Sequence, residues 1–505
     1  MAINQLKAGA FLSYILLGLN SVIGLLYTPF LLRMLGKSEY GLYSLAVSVI
    51  AYLTVLDLGF GNAIVRYTAK FRAEGKREEQ YEMFGMFFIL YLVISIVSFA
   101  IAMIMVFNVD AIFDAKMTAA EVGRMRIILM LMAFNLAFTF PMSIWGSIIT
   151  AYEDFVFQKL INIARTILNP LVMIVLLLYG YKAIALVVVT TLFNVLTLII
   201  NYIYCKRKLQ IQIYFRSFKW GFLKEVSIYS FWIFLNAIMD KIYWSSGQFI
   251  IGVYQGTSAV AVYAIAIQLK DMFFMFSTAI SSVFLPKVTS MVAKGVSERE
   301  MSDLFVRTGR IQYLIMAYIL VAFILFGKPF IRLWAGESYI AAYTIALLFF
   351  VPVTIPLIQN IGISILMARN QMKFRCILYA VVSILSLFVS IPLAKVYGGL
   401  GCAISVALAL ILGQVIGMNI YYMKVIHLDI FRFWREIGKM SIAPLVIGVL
   451  AYLVLAQIKI ESIIALLLAI LLFSFIYLLI IWNTGMNSSE RDLLKWPFRK
   501  LVSKI

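Results

Sequence analysis

Six ionisable side chains lie within long apolar segments of this 505-residue chain, and they are the residues best suited to chemistry. They are Asp57, Arg165, Asp240, Lys241, Lys270 and Asp271. Charged groups inside a membrane are costly, so they usually face the protein interior and mark ion or substrate paths. The sequence offers no metal-ligand cluster, no nucleophile–base set and no phosphate-cradling glycine loop. We therefore predict that the chain is not an enzyme and needs no cofactor.

Asp57 lies in the segment Leu56-Asp-Leu-Gly-Phe-Gly-Asn62, where two glycines allow close backbone approach or local unwinding. One interpretation makes this carboxylate part of a cation- or proton-coupling site. In the other, Asp57 caps a broken helix and accepts hydrogen bonds from backbone amides freed at Gly59 and Gly61. Both interpretations remain open on the sequence alone.

A second polar group follows at helical spacing. It comprises Asn236, Asp240, Tyr243, Trp244, Gly247 and Gln248, with Lys241 beside it and with Lys270 and Asp271 in the next apolar segment. One interpretation makes these residues the wall of a hydrated cavity, with Asp240 and Asp271 available for ion coupling. In the other, the neighbouring acids and lysines neutralise each other and fix helix packing. Either interpretation puts these helices on the interior.

Arg165 has no acid near it in the sequence, and it lies about 10 Å, or two helical turns, from one end of its apolar segment. A guanidinium in this position is suited to bind an anionic headgroup such as a phosphate, which arginine contacts with two hydrogen bonds. The alternative is that Arg165 extends its side chain to the headgroup layer. We predict anion binding.

The elements that must position these residues are membrane-spanning helices, since 64% of the chain is apolar and a helix crosses the hydrocarbon core with about 20 apolar residues. We predict an all-α integral membrane protein with fourteen spans. They cover residues 10–32, 42–65, 83–107, 126–149, 158–179, 183–204, 226–251, 257–285, 309–334, 340–367, 374–394, 399–423, 441–457 and 461–482.

The distribution of Lys and Arg predicts the orientation. Most of the 43 basic residues fall at the N-terminus, in even-numbered loops and in the C-terminal tail, so both termini are predicted to be cytoplasmic. The densest clusters are at 66–77, 206–224 and 491–504. The net charge of +20 is thus explained by membrane topology and contact with anionic lipids. It does not indicate a nucleic-acid partner.

An internal repeat with an offset of 218–220 residues organises the chain. Gly36, Ser38, Tyr43 and Ala46 recur as Gly256, Ser258, Tyr263 and Ala266, and Tyr179-Gly180 recurs as Tyr397-Gly398. An even number of spans separates the copies, so they enter the membrane in the same sense and form a parallel repeat about the membrane normal. We predict a six-helix lobe at 1–225, a second at 226–440, and two further helices with a basic tail at 441–505.

The segment Leu56-Asp-Leu-Gly-Phe-Gly-Asn-Ala-Ile-Val-Arg-Tyr67, after Gly41-Leu-Tyr-Ser-Leu45, resembles the opening of Wzx-type O-antigen flippases. These polysaccharide transporters belong to the MOP superfamily, together with MATE drug exporters and lipid II flippases. Arg66 matches a basic position that ends span two in that family. The resemblance implies two six-helix lobes around a cationic cavity.

The resemblance also implies a function in surface polysaccharide assembly. The substrate would be an undecaprenyl-pyrophosphate-linked oligosaccharide, flipped by alternating access across a bacterial inner membrane with a proton or sodium gradient as the coupling partner. Candidate substrate-binding residues are Arg66, Arg165, Asn236, Lys241, Gln248 and Lys270, candidate ion-coupling residues are Asp57, Asp240 and Asp271, and a polysaccharide polymerase and ligase would be partners. The alternatives are a cation-coupled MATE-type exporter, a lipid II flippase and a membrane scaffold. The mixed charges inside the spans favour an anionic substrate.

Overall fold

The computed structural model describes residues 5–113, 116–216, 219–488 and 490–492, and over these residues the regular structure is helical. The helices are α1 (Gln5–Leu53), α2 (Phe60–Ala73), α3 (Arg77–Phe107), α4 (Val109–Phe113), α5 (Ala119–Ala151), α6 (Phe155–Leu178), α7 (Ala183–Arg207), α8 (Trp220–Gln255), α9 (Thr257–Ala293), α10 (Glu298–Trp334), α11 (Ala341–Ile358), α12 (Ile361–Ala368), α13 (Lys373–Tyr397), α14 (Gly399–Ala409), α15 (Met418–Lys424), α16 (Ile430–Leu455) and α17 (Ile463–Thr484). Most of the basic tail predicted at 491–504 lies outside the described residues.

Twelve segments of the described chain are long and apolar enough to cross a membrane. The first, Ala8–Ala73, covers predicted spans one and two, and predicted span seven falls on α8, which is not among the twelve. The predicted all-α, multi-pass class is therefore confirmed, with a count close to the expected fourteen. The three cysteines all lie in the described residues, where they are buried and form no disulfide.

Backbone conformation repeats along the chain in the way that the sequence predicts. Five pairs of residues with positive φ are separated by 217 to 220 positions. They are Gly36 and Gly256, Gly75 and Gly295, Glu153 and Asn370, Gly180 and Gly398, and Gln210 and His427. Residues other than Gly, Asn and Asp rarely adopt positive φ. The pairs at nearly one offset, above all Glu153 with Asn370 and Gln210 with His427, therefore indicate the same chain path in both repeats.

Gly36 and Gly256 show the closest agreement, with φ/ψ of 77°/171° and 81°/179°. This region of conformational space is essentially restricted to glycine. Each glycine separates the first helix of its repeat from the second. In α1, Gly36 alone separates predicted spans one and two, because the residues before and after it are helical. The predicted loop there is thus shorter than expected.

The two repeats differ where helices are broken. In the first repeat, the second helix is interrupted by a 3₁₀ turn at Thr54–Asp57 and by the left-handed residues Leu58 and Gly59. The equivalent α9 of the second repeat is continuous. Conversely, the second repeat has a break between α11 and α12, and a π-helical stretch at Leu410–Gly417. Irregular backbone in a membrane helix is tolerated where it lines a cavity or is buried in protein.

Two compact units emerge from the contacts of the described chain. Unit 1 comprises Met1–Ala264 and Leu387–Cys402, and unit 2 comprises Ile265–Ser386 and Ala403–Ile505. The boundary at residue 264 differs from the predicted lobe boundary at 225, because α8 and the start of α9 pack with the first repeat. The lobe division predicted from the repeat stays a prediction.

Unit 2 holds the two helices that follow the repeats. Both α16 and α17 pack against α10 through a buried apolar cluster that includes Phe326, Ile447, Phe473 and Tyr477. At one end of these helices the Arg310 guanidinium is buried against two carboxylates. It donates to Glu490 (2.7 and 3.1 Å) and to Glu436 (2.8 Å) and therefore joins α10, α16 and the residues after α17.

Candidate functional site

The broken second helix places Asp57 within unit 1, at the end of a 3₁₀ turn. The Tyr91 hydroxyl donates a hydrogen bond to the Asp57 carboxylate over 2.7 Å, and the backbone amides of Gly59 and Gly61 donate to it as well. These amides are available because the left-handed residues at 58 and 59 interrupt the helix. The structure therefore satisfies the carboxylate in the way that the helix-capping interpretation describes.

The capping contacts leave the ion-coupling interpretation of Asp57 open, because hydroxyl oxygens lie near the carboxylate. A Cβ atom on Gly61 would lie 3.4 Å from the Ser147 hydroxyl and 4.0 Å from the Asp57 carboxylate. Gly61 and Ser147 therefore lie beside the carboxylate, together with the Tyr91 hydroxyl. Asp57 is half-buried, so a proton or small cation has access to it. Its ion-coupling role stays a prediction.

Arg165 belongs to a polar cluster formed by three helices of unit 1, with Asn194 at its centre. Its guanidinium on α6 donates to the Asn194 side-chain oxygen on α7 over 3.2 Å. The Asn194 amide in turn donates to Asn135 and to Thr139 on α5, both over 2.7 Å. Because these partners are neutral, the contacts orient the guanidinium without compensating its charge. Asn135, Thr139 and Asn194 were not among the predicted site residues.

The candidates on α8 and α9 divide between the two units. Lys270 is buried in unit 2, and its ammonium group contacts Asp271 over 2.6 Å, with the Phe274 ring 5.1 Å away. The structure thus pairs these two residues within one helix. Their predicted roles in substrate binding and ion coupling stay predictions.

On α8, in unit 1, the predicted polar stripe falls on a continuous helix. Asn236, Lys241 and Gln248 are half-buried, and Asp240 is exposed. Gly247 in this stripe permits close packing, because a Cβ atom there would lie 2.4 Å from the Tyr263 hydroxyl.

Arg66 is exposed near the middle of α2, and its guanidinium lies 5.9 Å from the centre of the Tyr67 ring. One and a half turns further, Arg72 stacks on Tyr152 at 4.0 Å and donates to the Ala151 carbonyl over 2.9 Å. Arg165 lies on a different helix, α6.

A buried carboxylate cluster, also missed at the sequence level, lies at the opposite end of unit 1. Glu121, at the start of α5, accepts hydrogen bonds from the Ser38 hydroxyl, from the Thr257 hydroxyl (2.8 Å) and from Thr118. Gly41 allows this approach, because a Cβ atom there would overlap the Thr257 carbonyl oxygen. Ser38 and Thr257 lie in the first turn of the second helix of the first and second repeat, so Glu121 joins the starts of two corresponding helices.

The comparisons with known proteins agree with this fold. Residues 30–344, more than half of the chain, match the model of a family described as "Polysaccharide biosynthesis protein". The chain belongs to this family. A Shigella flexneri protein named "Putative O-antigen transporter" is 19% identical over 397 residues, which cover 78% of this chain and 92% of that protein.

Two solved structures with the same fold are described as a lipid II flippase and as a multidrug transporter. The lipid II flippase MurJ, in an inward closed conformation, aligns with a TM-score of 0.70 and 16% identity over 92% of this chain and 99% of that one. An inward-facing MATE-family multidrug transporter of the MOP superfamily aligns with a TM-score of 0.58 and 14% identity over 83% of this chain and 96% of that one. The predicted MOP-type transporter fold is confirmed. Its neighbours are transporters and flippases, not enzymes.

Proposed function

We propose that this family member flips an undecaprenyl-pyrophosphate-linked oligosaccharide from the cytoplasmic to the outer leaflet of a bacterial inner membrane. The observation that carries the proposal is the setting of Arg165. This guanidinium is half-buried inside a span, and its hydrogen bond goes to the neutral Asn194 side chain. A positive charge that is held in place by a neutral amide remains available to bind an anionic group. The pyrophosphate is the anionic part of this substrate.

Residue composition distinguishes this proposal from export of cationic drugs. Between Glu121 and Glu225 the only acids are Glu153 and Asp154, in the turn between α5 and α6. The predicted spans 126–149, 158–179 and 183–204 therefore carry no carboxylate, and their cations are Arg126 and Lys159 near the span ends and Arg165 further inside. A site for cationic drugs needs carboxylates in such positions, because a buried cation requires a compensating charge.

The mechanism we propose is alternating access between two six-helix lobes, with a lateral opening that leaves the polyprenyl tail in the bilayer. Only the polar head must then cross the membrane. Lys241, Lys270, Asn236, Gln248 and Arg66 would contribute to the path of the head. Asp57, with Asp240 and Asp271 as further candidates, would take up the coupling ion, and the ion can shift the equilibrium only by binding the two states differently.

The test is flipping of a fluorescent undecaprenyl-pyrophosphate-linked oligosaccharide in proteoliposomes, with and without a proton or sodium gradient. We expect Arg165→Gln to lower the rate at least tenfold, since it removes a charge-assisted contact of about 1.5–3 kcal/mol. Lys459→Gln, which removes an exposed cation from the loop between α16 and α17, is the matched control. Wild-type protein that fails to flip this lipid contradicts the proposed substrate.

Coupling is tested separately in the same vesicles. We expect a gradient to accelerate wild-type flipping and Asp57→Asn to remove that acceleration while leaving gradient-independent exchange. Equal rates under all gradients, in both proteins, would reject coupling through Asp57 but leave the flippase assignment intact. Lipid II is the alternative substrate for this fold, and a parallel series with labelled lipid II measures the preference directly.

A further inference from the structure

Polar residues on α6 and α7 follow the same spacing, which the proposed function does not by itself explain. On α6 they lie at positions i, i+4, i+7 and i+11, and on α7 the pattern is identical. The α6 residues are Gln158, Asn162, Arg165 and Asn169, and the α7 residues are Thr190, Asn194, Thr197 and Asn201. This spacing places each set in one stripe along its helix, over roughly 16 Å at 1.5 Å per residue.

The structure joins the two stripes to α5 and so makes one polar strip within unit 1. Midway along α6, Asn194 links Arg165 to Asn135 on α5 through the contacts described above. One turn from the start of α6, the Gln158 amide donates to the Gly146 carbonyl over 2.6 Å and accepts from the Thr150 hydroxyl over 3.1 Å. A Cβ atom on Gly146 would lie 3.7 Å from the Asn201 amide nitrogen.

The strip borders water. Its side chains are half-buried, and Asn162 is exposed although it lies two turns inside a span. An amide at this depth is not stable against lipid tails, because its polar atoms would lose their hydrogen bonds. The exposed amide of Asn162 therefore indicates contact with a water-filled space on this side of the unit.

The chemistry of the strip suits hydroxyl groups. A side-chain amide presents two donors and one acceptor oxygen, and it can bond to a sugar hydroxyl that both donates and accepts. A strip of amides with one arginine and no carboxylate has no preference for cations. Arg165 supplies the positive charge for the pyrophosphate next to these neutral groups.

We infer that the amide strip of α5, α6 and α7 binds the hydroxyl groups of the glycan and discriminates sugar-bearing lipid from the lipid pyrophosphate alone. This inference rests on the proposed function and assigns the sugar-recognition part of that site. Asn135, Asn162, Asn194 and Asn201 are its central residues. The competing explanation is that the amides only hold helices together, as polar side chains do in many membrane bundles.

Two probes separate these explanations: undecaprenyl pyrophosphate without sugar, and the same lipid carrying an oligosaccharide. Both are titrated against the purified full-length protein in nanodiscs. We expect Asn162→Leu and Asn201→Leu to weaken binding of the oligosaccharide lipid about tenfold, as loss of one or two hydrogen bonds would. Binding of the sugar-free lipid should stay within about twofold, and Asn162→Gln, which keeps an amide, should recover most of the loss.

Two control variants and a stability measurement accompany the titrations. Arg165→Gln should weaken both lipids, and Thr278→Val, which removes an exposed hydroxyl bonded to its own helix backbone in unit 2, should weaken neither. Thermal unfolding midpoints identify variants that are merely less stable. If wild-type protein binds neither lipid, the proposed function fails. If it binds both and the asparagine variants weaken both equally, or neither, the sugar-recognition role is overturned and helix packing is the correct explanation.

Discussion

Arg165 and Lys270 are both cations inside spans, but they differ in burial and in the charge of their partners. Lys270 is buried and lies 2.6 Å from a carboxylate, so the pair is close to neutral. Arg165 is half-buried and bonded to an amide, so its charge remains available. Burying a charge without compensation costs free energy, and a protein retains such a residue where a ligand supplies the missing charge. This contrast is why the proposed anion site is centred on Arg165 and not on Lys270.

The hydrogen bond from Tyr91 to Asp57 gives a first prediction. Tyr91→Phe removes a donor from a half-buried carboxylate, and hydrogen bonds to charged groups contribute about 1.5–3 kcal/mol. We expect the unfolding free energy to fall by that amount, seen as a lower thermal midpoint. Tyr397→Phe, at an exposed tyrosine, should have no effect. A Tyr91→Phe protein as stable as the wild type would contradict a structural role for this bond.

Ionisable residues could be selected from the sequence because a charge in an apolar segment is conspicuous. The amides and hydroxyls of α5, α6 and α7 could not, because Asn and Thr are common in membrane helices and their bonds cross between helices. Asn135 and Asn194 are 59 positions apart, yet their side chains are 2.7 Å apart. The regular spacing on α6 and α7 was the one available signal. It becomes informative only when the structure places the two helices side by side.

At the scale of elements, the glycine kinks give a second prediction. Gly36→Ala and Gly256→Ala place a Cβ atom in a conformation that only glycine adopts readily, at a cost of about 1–3 kcal/mol. A Cβ atom added at Gly36 would have no atom outside its own local backbone within 4 Å, so backbone strain alone determines the free-energy cost of Gly36→Ala. The control is Gly18→Ala, in the same helix with open space and ordinary φ, which should stabilise slightly. Thermal midpoints compare the three variants, and equal midpoints for Gly36→Ala and Gly18→Ala would disprove the strain.

Sequence reasoning located the repeat but not the breaks within helices. Matching residues at one offset predicted that Gly36 and Gly256 are equivalent, and their backbone angles agree. The break between α11 and α12 was read as one uninterrupted span. Apolar composition there stays constant, while Pro356 removes a backbone donor just before the break. Hydropathy reports where a helix crosses the membrane, and it does not report where its backbone departs from helical geometry.

The buried Arg310 cluster gives a third prediction, about how the last two helices are attached. Glu490 is 3% exposed and Arg310 is 8% exposed. Removing one partner of a buried ion pair typically costs about 3–5 kcal/mol, because the other charge stays buried. We expect Arg310→Met to lower stability by that amount and Arg310→Met with Glu490→Leu to recover part of it. A double-mutant cycle with no coupling energy would show that the pair does not hold the segment after α17.

For the whole molecule, the Glu121 cluster is where alternation between states can be tested. Within unit 1 it joins Ser38 and Thr257, which lie in the first turn of corresponding helices in the two repeats. The predicted topology puts this cluster at the outer face. Flipping by alternating access requires the two repeats to separate there once per cycle. The contacts at Glu121 would then have to break and form again each time a lipid crosses.

A cysteine pair tests this requirement directly. The Ser38 and Thr257 hydroxyl oxygens are 3.4 Å apart, close enough for Ser38→Cys with Thr257→Cys to approach disulfide geometry. The three natural cysteines are buried, so an oxidant should act mainly on the introduced pair. We expect oxidation to stop flipping of the lipid-linked oligosaccharide and reduction to restore it, while each single cysteine variant keeps its activity under both conditions. Because a disulfide holds the two helices together at the predicted outer face, a cross-linked protein that still flips lipid would rule out opening at this point.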